Sequence, residues 1–294
     1  MFDHRGDQAE GLRRMLGLER VRTIALLGAR NQAGATSCVT NLAVALGLAG
    51  RRVLIIDEHF GPANVSGLLG VAARTELKHL LDGECRLEQV LQKGPHGIRV
   101  LPAASGARAL GRLTPLQRDR ATAELCVLDE LCDIVLVDAV APTALQATTF
   151  AGAAQETVMV LEPDATSITQ AYTRIKHLRS RHGTTHFRLL VNLATDVTGA
   201  QRACDNLAQA ARGFLDATLE YAGTVPADPA MRLAAQQFVP VVVNDPGSPA
   251  ARSFQRMARV ILEWPARQRG AGTPDALFHR VIQTSRPRAA GAGA

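Results

Sequence analysis

The sequence predicts an α/β protein with a doubly wound, mostly parallel β-sheet that carries helices on both faces. The main evidence is that seven short, continuous apolar runs alternate with segments of helical periodicity. This alternation is typical of βαβ units, whose strands are buried on both faces. Aromatic residues make up 4% of the chain and hydrophobic residues 47%, a balance that favours helices packed closely on a parallel sheet over an all-β fold.

The apolar runs give the expected strands, and the periodic segments give the expected helices. Strands are predicted at residues 23–28, 53–57, 98–102, 134–138, 157–161, 187–192 and 219–226. Helices are predicted at residues 7–18, 41–48, 75–92, 115–131, 166–181, 199–214 and 228–237. A last core helix is predicted from the spacing of Phe254, Met257, Ala258, Ile261 and Leu262.

The chain divides into one large domain, residues 21–264, and two short ends. Residues 1–20 form an N-terminal segment, and residues 265–294 form a basic tail that we expect to be largely disordered around a short amphipathic helix at 275–283. Eight arginines against two acidic residues give the stretch 252–294 a charge of +6, which is the whole net charge of the chain. A neutral body argues against a surface that coats nucleic acid, and the basic end indicates an anionic partner such as a membrane surface.

Composition also bears on the cellular compartment. No stretch approaches the roughly 18 consecutive apolar residues that a membrane span needs, and the N-terminus shows no apolar core of a secretory signal. The cysteines are five in number, scattered, and without metal-ligand spacing: Cys38, Cys85, Cys126, Cys132 and Cys204. We therefore expect reduced thiols in a cytoplasmic protein.

The turn after the first strand, GARNQAGATS at residues 28–37, has the position of a phosphate-binding loop. Strand, turn and helix in this order would present backbone N–H groups to an anion at a helix N-terminus. Two further strands end in Asp57 and Asp138 at the same edge of the sheet, and with the hydroxyl of Thr36 they form a candidate Mg²⁺ site. The alternative is that both aspartates only cap the helices that follow them.

Several longer stretches resemble the MinD/ParA-type deviant Walker ATPases, which have a P-loop NTPase fold of the SIMIBI class. The resemblance covers nearly the whole chain and is carried by GATSCVTNLA (34–43), VLIIDEHFGPANVSGLLG (53–70), GPHGIRVLPA (94–103), EPDATSITQAYTRIK (162–176), FRLLVN (187–192) and SPAARSF (248–254). Within that group the chain looks like the flagellar-number regulators of the FlhG/YlxH/FleN type, because DQAEGLR at residues 7–13 is typical of that branch.

The resemblance implies which residues would meet ATP or ADP with Mg²⁺. The loop residues are Arg30, Asn31, Gln32, Ala33, Gly34, Ala35, Thr36 and Ser37, with Thr36, Asp57 and Asp138 at the metal. Near the adenine base the family places residues that correspond to Asn192, Pro226 and Asp228. The plainer interpretation of this last group is ordinary capping at strand ends.

Three departures from the family pattern put hydrolysis in doubt. Ala35 replaces the main lysine of the loop, His59 replaces the aspartate that orients water, and Pro142 replaces a glycine whose N–H would reach the γ-phosphate. Arg30 takes the place of the signature lysine, which in the family acts across a dimer interface. We expect ATPase activity to be weak or lost, while nucleotide binding stays possible.

The two ends carry the expected partner contacts. The resemblance implies that Asp7, Gln8, Ala9, Leu12 and Arg13 contact a signal-recognition-type flagellar GTPase (FlhF-like), and a frayed terminal helix is the alternative. The tail residues Leu277, Phe278, Arg280, Val281 and Ile282 form an apolar stripe with a basic flank, as in a membrane-targeting helix. Docking of this helix on the protein body is the alternative.

The resemblance thus implies a cytoplasmic regulator of flagellar number, placement and assembly that associates with the inner face of the plasma membrane. We expect contacts with flagellar regulators or basal-body proteins, a possible homodimer, and no direct binding of nucleic acid. The alternative function is an active, ATP-hydrolysing positioning ATPase for septum sites or DNA partition.

Overall fold

The structure is a computed structural model that describes residues 21–61, 64–71, 74–141, 150–265 and 274–284. Its centre is an eight-stranded sheet in the order β3-β4-β2-β5-β1-β6-β7-β8. All pairings are parallel except that of β3 with β4. The strands are β1 (Arg22–Gly28), β2 (Val53–Asp57), β3 (Gln92–Lys93), β4 (Arg99–Pro102), β5 (Ile134–Ala139), β6 (Glu156–Leu161), β7 (His186–Ala194) and β8 (Thr218–Pro226).

Fourteen α-helices are present in the described residues. They are α1 (Ala35–Leu48), α2 (Val65–Leu68), α3 (Leu77–Leu81), α4 (Leu87–Val90), α5 (Gly106–Ala109), α6 (Pro115–Leu125), α7 (Leu128–Leu131), α8 (Phe150–Ala153), α9 (Ala165–His182), α10 (Val197–Leu215), α11 (Pro229–Gln236), α12 (Val241–Asn244), α13 (Pro249–Glu263) and α14 (Pro274–Thr284). The fold class expected from the sequence is confirmed.

The sheet separates two hydrophobic cores, one on each face. One core packs α1, α12 and α13 against strand side chains such as Ile24 and Ile55. The other packs helices such as α6, α9, α10 and α14 against the opposite side of the same strands, including Leu27 and Leu54. Consecutive side chains of each strand therefore alternate between the two cores, which explains why the strand sequences are continuously apolar.

Two predicted helices are divided in the structure: residues 115–131 form α6 and α7, and residues 75–92 depart further from the prediction. Residues 75–92 do not form one helix but the short helices α3 and α4, followed by β3. Gly83 lies between the two helices with a φ of 78°, a left-handed conformation that ends α3. The edge strand β3 then pairs antiparallel with β4, joining Gln92 to Val100 and Lys93 to Arg99.

The tail helix α14 is docked on the body, which is the alternative to a membrane-binding stripe, and membrane binding by this helix stays a prediction. Leu277, Phe278, Val281 and Ile282 are at most 9% exposed and belong to the core shared with α6 and α8. The rings of Phe278 and Phe150 meet edge to face, with centroids 5.1 Å apart. Burial against the protein body removes the same apolar area from water as burial in a bilayer, so the sequence pattern fits both environments. In the structure the helix is docked on the protein body. None of the described helices is long and apolar enough to cross a membrane.

Candidate functional site: a phosphate loop and two strand-end aspartates

The loop between β1 and α1 has the backbone form of an anion cradle. Gln32 and Gly34 adopt left-handed conformations, with φ of 68° and 82°. No side chain in the described part of the chain caps the N-terminus of α1. The N–H groups at the start of this 14-residue helix are therefore available to an anion. The geometry fits a phosphate group, and nucleotide contact by residues 30–37 stays a prediction.

Close approach of the backbone explains two glycines of this loop. A Cβ atom on Gly28 would lie 2.8 Å from the carbonyl oxygen of Arg30, and one on Gly34 would lie 2.2 Å from Nδ2 of Asn192. Asn192 is buried at the end of β7, and its Nδ2 donates a hydrogen bond to the carbonyl oxygen of Ala33 at 2.9 Å. Asn192 thus braces the loop directly, while its expected role at an adenine base stays a prediction.

The cations beside the loop are engaged by other protein groups. Arg30 Nε donates to Glu162 Oε1 at 3.0 Å, Nη2 lies 2.6 Å from Glu162 Oε2, and Asp164 adds a longer contact of 3.6 Å. Arg174 is partly buried and donates to the carbonyl oxygen of Gly28. Position 35, where the family has its main lysine, is an alanine. The loop therefore offers backbone N–H groups to an anion, while Arg30 and Arg174 are both bound to other protein groups and position 35 has no charge.

Asp57 and Asp138 lie side by side at the carboxyl edge of the sheet, in the same register of β2 and β5. Both are buried, at 1% and 0% exposure. His59, two residues beyond the end of β2, lies against both carboxylates: its Nδ1 is 3.0 Å from Asp138 Oδ2 and 3.9 Å from Asp57 Oδ1. The structure thus brings together the two predicted metal ligands and places an imidazole between them.

Asp57 also has the structural role that the alternative interpretation assigned to it. Its Oδ1 accepts from the backbone N–H of His59 at 3.0 Å, and its Oδ2 accepts from that of Val65 at 2.9 Å. The second bond satisfies the first N–H of α2, which begins at Val65 and has Asn64 as its N-cap residue. Each carboxylate oxygen keeps a further lone pair after accepting one hydrogen bond, so capping and metal binding are compatible.

Burial and neighbouring charge shift the protonation of this cluster. Burial, followed by repulsion from Asp138, raises the pKa of Asp57 to about 7. Burial alone would lower the pKa of His59, but contact with Asp138 and the charges of Asp57 and Glu58 outweigh it, so the pKa of His59 is raised. The carboxylates beside His59 therefore favour its protonated form up to a higher pH than that of a free histidine side chain.

Glu58 is a buried carboxylate that sequence reasoning did not single out. It accepts hydrogen bonds from the backbone N–H of Val140 at 2.8 Å and of Phe150 at 3.3 Å. Burial raises the pKa of Glu58 to about 7. The sequence places the ionisable Glu58 directly between Asp57 and His59, and a carboxylate buried there needs backbone donors. Glu58 ties the end of β2 to Val140, just after β5, and to Phe150 at the start of α8.

Asp228 and Pro226 lie where capping explains them. The Asp228 carboxylate accepts from the backbone N–H of Ala230 at 2.9 Å and of Ala250 at 3.0 Å, so it caps α11 and joins it to α13. Pro226 ends β8 and lines a groove of about 600 Å³ between that edge strand and α13, beside Tyr221 and Arg256. Their assignment to an adenine site stays a prediction.

Some predicted residues fall outside the described part of the chain. They are the partner-binding residues Asp7, Gln8, Ala9, Leu12 and Arg13 and the loop residue Pro142. Among the described residues, the structure brings the loop into contact with Asn192 and brings Asp57 into contact with His59 and Asp138. Thr36 lies in the first turn of α1, where its carbonyl oxygen accepts from Thr40.

Sequence comparison gives relatives over most of the chain. No protein-family model matches. The chain is 34% identical to the antiactivator FleN of Pseudomonas aeruginosa over 272 residues, which covers 92% of this chain and 97% of FleN. It is 30% identical to the flagellum site-determining protein YlxH of Helicobacter pylori over 154 residues, about half of each chain.

Solved structures show the same fold. The MinC:MinD cell division complex of Aquifex aeolicus matches with a TM-score of 0.65 at 20% identity, covering 85% of this chain and 99% of the solved one. MinD of Pyrococcus horikoshii, solved with Mg-ADP, matches with a TM-score of 0.62 at 22% identity, covering 82% and 96%.

The sheet order, the uncapped helix after β1 and the paired strand-end aspartates define a P-loop protein of the MinD/ParA class. Similarity to FleN across nearly the full length of both chains makes the family more specific. The chain belongs to the MinD/ParA-type family of flagellar-number regulators. The resemblance inferred from the sequence motifs is confirmed.

Proposed function

We propose that this flagellar regulator acts mainly by binding other proteins, and that its nucleotide site holds ATP or ADP weakly and hydrolyses ATP slowly or not at all. The relative FleN is named an antiactivator, and restraint of a flagellar activator is the corresponding action for this chain. The observation that carries the proposal is the charge distribution at the loop. The backbone keeps the form of an anion cradle, but the family's main lysine is replaced by Ala35 and the Arg30 guanidinium is paired with Glu162.

The cradle itself fits a nucleotide phosphate. The amides of Gly34 to Ser37 and the hydroxyl of Thr36 would hold the phosphates, and Asp57 and Asp138 would hold Mg²⁺. The solved relative from Pyrococcus horikoshii carries Mg-ADP on the same fold. In this chain His59 Nδ1 lies 3.0 Å from Asp138 Oδ2, so an ion bound by Asp138 would compete with that contact.

The absence of a lysine at position 35 allows an estimate of how much nucleotide binding is weakened. A charge-assisted hydrogen bond contributes about 1.5–3 kcal/mol, so Ala35 weakens nucleotide binding by about 10–100-fold relative to a lysine. Arg30 does not compensate, because Glu162 binds its guanidinium through two nitrogens. Replacement of the water-orienting aspartate by His59 impairs the chemical step separately.

Calorimetric titration with ATP·Mg²⁺ and with ADP tests this account of the loop. We expect Ala35→Lys to tighten nucleotide binding by about 10-fold or more. Ala49→Lys is the matched control, because it adds the same charge at the exposed opposite end of α1. Wild-type affinity equal to that of Ala35→Lys, or wild-type ATP turnover comparable to that of an active relative, would overturn the proposal.

We further propose that residues 7–13 contact an FlhF-like flagellar GTPase. We expect the rest of the chain to bind flagellar regulators or basal-body proteins, as a monomer or homodimer in the cytoplasm. The docked position of α14 supports protein contacts over membrane insertion by that helix. A strain that lacks the gene should show an altered number or position of flagella. Normal flagellation in that strain would count against the proposed role.

A further inference from the structure

The three side chains at the carboxyl edge of the sheet have the donor atoms of a transition-metal site. We propose that Asp57, His59 and Asp138 bind one divalent ion of the zinc class, through the His59 ring nitrogen and one oxygen of each carboxylate. These donor atoms all lie within 4.8 Å of one another. The inference concerns a metal-binding site and does not depend on the proposed regulatory function.

The distances suit a tetrahedral ion. Zinc bonds of about 2.0–2.2 Å in a tetrahedron separate two ligand atoms by about 3.4 Å. The two observed separations, 3.0 Å from His59 Nδ1 to Asp138 Oδ2 and 3.9 Å to Asp57 Oδ1, lie on either side of that value. Shifts of a few tenths of an ångström, within the freedom of the partly exposed His59 side chain, bring them into range.

Asp138 provides independent evidence for a ligand. Its side chain is fully buried; Oδ1 has no hydrogen-bond donor among the described residues, and Oδ2 has only the His59 ring nitrogen, 3.0 Å away. A buried carboxylate with so few donors is costly, and a bound cation lowers that cost. Asp138 stands on a central strand, so its position is fixed by its neighbours β1 and β2.

The other carboxylate is held in place for the same task. Both oxygens of Asp57 accept backbone hydrogen bonds, from His59 and Val65, which orient the group while leaving a lone pair on each oxygen. Three protein ligands leave a fourth position open for water or an anion.

The nitrogen donor distinguishes this site from the magnesium site expected from the sequence, which used Thr36 in place of His59. Imidazole favours zinc, iron, nickel or copper, whereas Mg²⁺ prefers oxygen ligands alone. A ligand set of one nitrogen and two oxygens therefore selects a first-row transition metal over Mg²⁺.

The test uses the full-length chain, stripped with a chelator and titrated with Zn²⁺ or Mg²⁺ in the absence of nucleotide. We expect one equivalent of Zn²⁺ to bind at least about 100-fold more tightly than Mg²⁺. His59→Ala should weaken Zn²⁺ binding by about 10–100-fold or more. His186→Ala is the control, because His186 is exposed at the start of β7 and contacts Thr185.

Two spectroscopic readouts separate the site from adventitious binding. Co²⁺ in the wild type should give the intense visible absorption of a tetrahedral site, and the ¹⁵N resonances of the His59 ring should shift when Zn²⁺ is added. Absence of both signals, or equal loss of Zn²⁺ affinity in the two histidine variants, overturns the proposal. The ring resonances of the wild type decide the matter even where His59→Ala does not fold.

Discussion

Arg30 binds Glu162 through two nitrogens, with Nε 3.0 Å from Oε1 and Nη2 2.6 Å from Oε2. The two residues are 132 positions apart in the chain, at the ends of the adjacent strands β1 and β6. Arg30 takes the place of the lysine that the family extends across a dimer interface. In this chain Glu162 of the same molecule binds the Arg30 guanidinium. We therefore expect that the loop does not extend this cation into a partner molecule.

Glu162→Gln should release Arg30 and strengthen binding of ATP·Mg²⁺ by several-fold. The reason is that a neutral amide cannot hold the guanidinium as an ion pair, which leaves the charge free to contact phosphate. Calorimetric titration of the wild type and the variant measures the change. Glu88→Gln, the same substitution at an exposed position of α4, should leave the affinity unchanged. Equal affinities for wild type and Glu162→Gln would show that the pair does not restrain the site.

Glu58 predicts a specific dependence of stability on pH. Its pKa rises from 4.5 to about 7 in the folded protein because the side chain is buried. The folded state therefore keeps a proton that the unfolded state has lost, and the free energy of unfolding falls as pH rises from about 4.5 to about 7, by about 3 kcal/mol in total. Above that range the contribution is lost and the dependence on this group ends.

Urea unfolding between pH 5 and pH 8, in the presence of a chelator, measures this dependence. Glu58→Gln should reduce its slope and leave the part that comes from Asp57, whose pKa is also raised to about 7. It should also lower stability at pH 5, because the amide NH2 cannot accept the backbone bond that the oxygen in its place accepts. Glu88→Gln should keep the wild-type slope. A Glu58→Gln profile that runs parallel to the wild type would assign the pH dependence to other groups.

Phe278→Ala tests the docked position of the tail helix. Phe278 is 2% exposed and packs its ring against Phe150. Removing it should lower the free energy of unfolding by about 3–5 kcal/mol. Phe214, which is 82% exposed on α10, offers the same substitution without burial, and Phe214→Ala should change stability by less than about 0.5 kcal/mol. A similarly small effect of Phe278→Ala would mean that α14 is released from the body in solution.

Arg188 is a buried cation, and its contacts predict that substitutions at Arg188 and Glu156 have non-additive effects on the free energy of unfolding. Its Nε lies 3.1 Å from Glu156 Oε2, its Nη1 lies 2.8 Å from Glu220 Oε2, and its guanidinium carbon is 3.9 Å from the centre of the Trp264 ring. Arg188→Met should cost about 3–5 kcal/mol, because it leaves the Glu156 carboxylate buried without its cation.

The double variant Arg188→Met/Glu156→Leu should recover part of that loss, since it removes the buried charge as well. Arg202→Met, at an exposed position of α10, controls for the substitution itself. Chemical denaturation of the wild type, Arg188→Met, Glu156→Leu and the double variant gives the coupling directly. A double variant no more stable than Arg188→Met would show that the Glu156 carboxylate finds other compensation.

The sequence predicted those features that depend on local pattern. The strands follow from continuous apolar runs, and the adjacency of Asp57 and Asp138 follows from parallel strands that end at one edge. By contrast, the partners of Arg30 and Asn192 come from strands distant in sequence, and no local pattern identifies them. The exchange of a family residue at His59 was visible, but only the fold shows that the imidazole contacts both carboxylates and that Glu58 binds two backbone groups.

The tail helix shows a different limit of sequence reasoning. An apolar stripe indicates that four side chains are covered from water, but it does not indicate whether protein or lipid covers them. The deciding information is the apolar surface that α6 and α8 present to α14, and the sequence of the stripe does not contain it. The same reasoning applies to residues 75–92, where pairing with β4 and the turn at Gly83 override helical periodicity.

The contact between Asn192 and Gly34 limits how this family can vary. Any side chain at position 34 would collide with the Asn192 amide, and its backbone angle already disfavours other residues. A homologous chain that loses this glycine is therefore expected to carry a smaller residue in place of Asn192. The two positions, 158 residues apart, should change together during evolution or not at all.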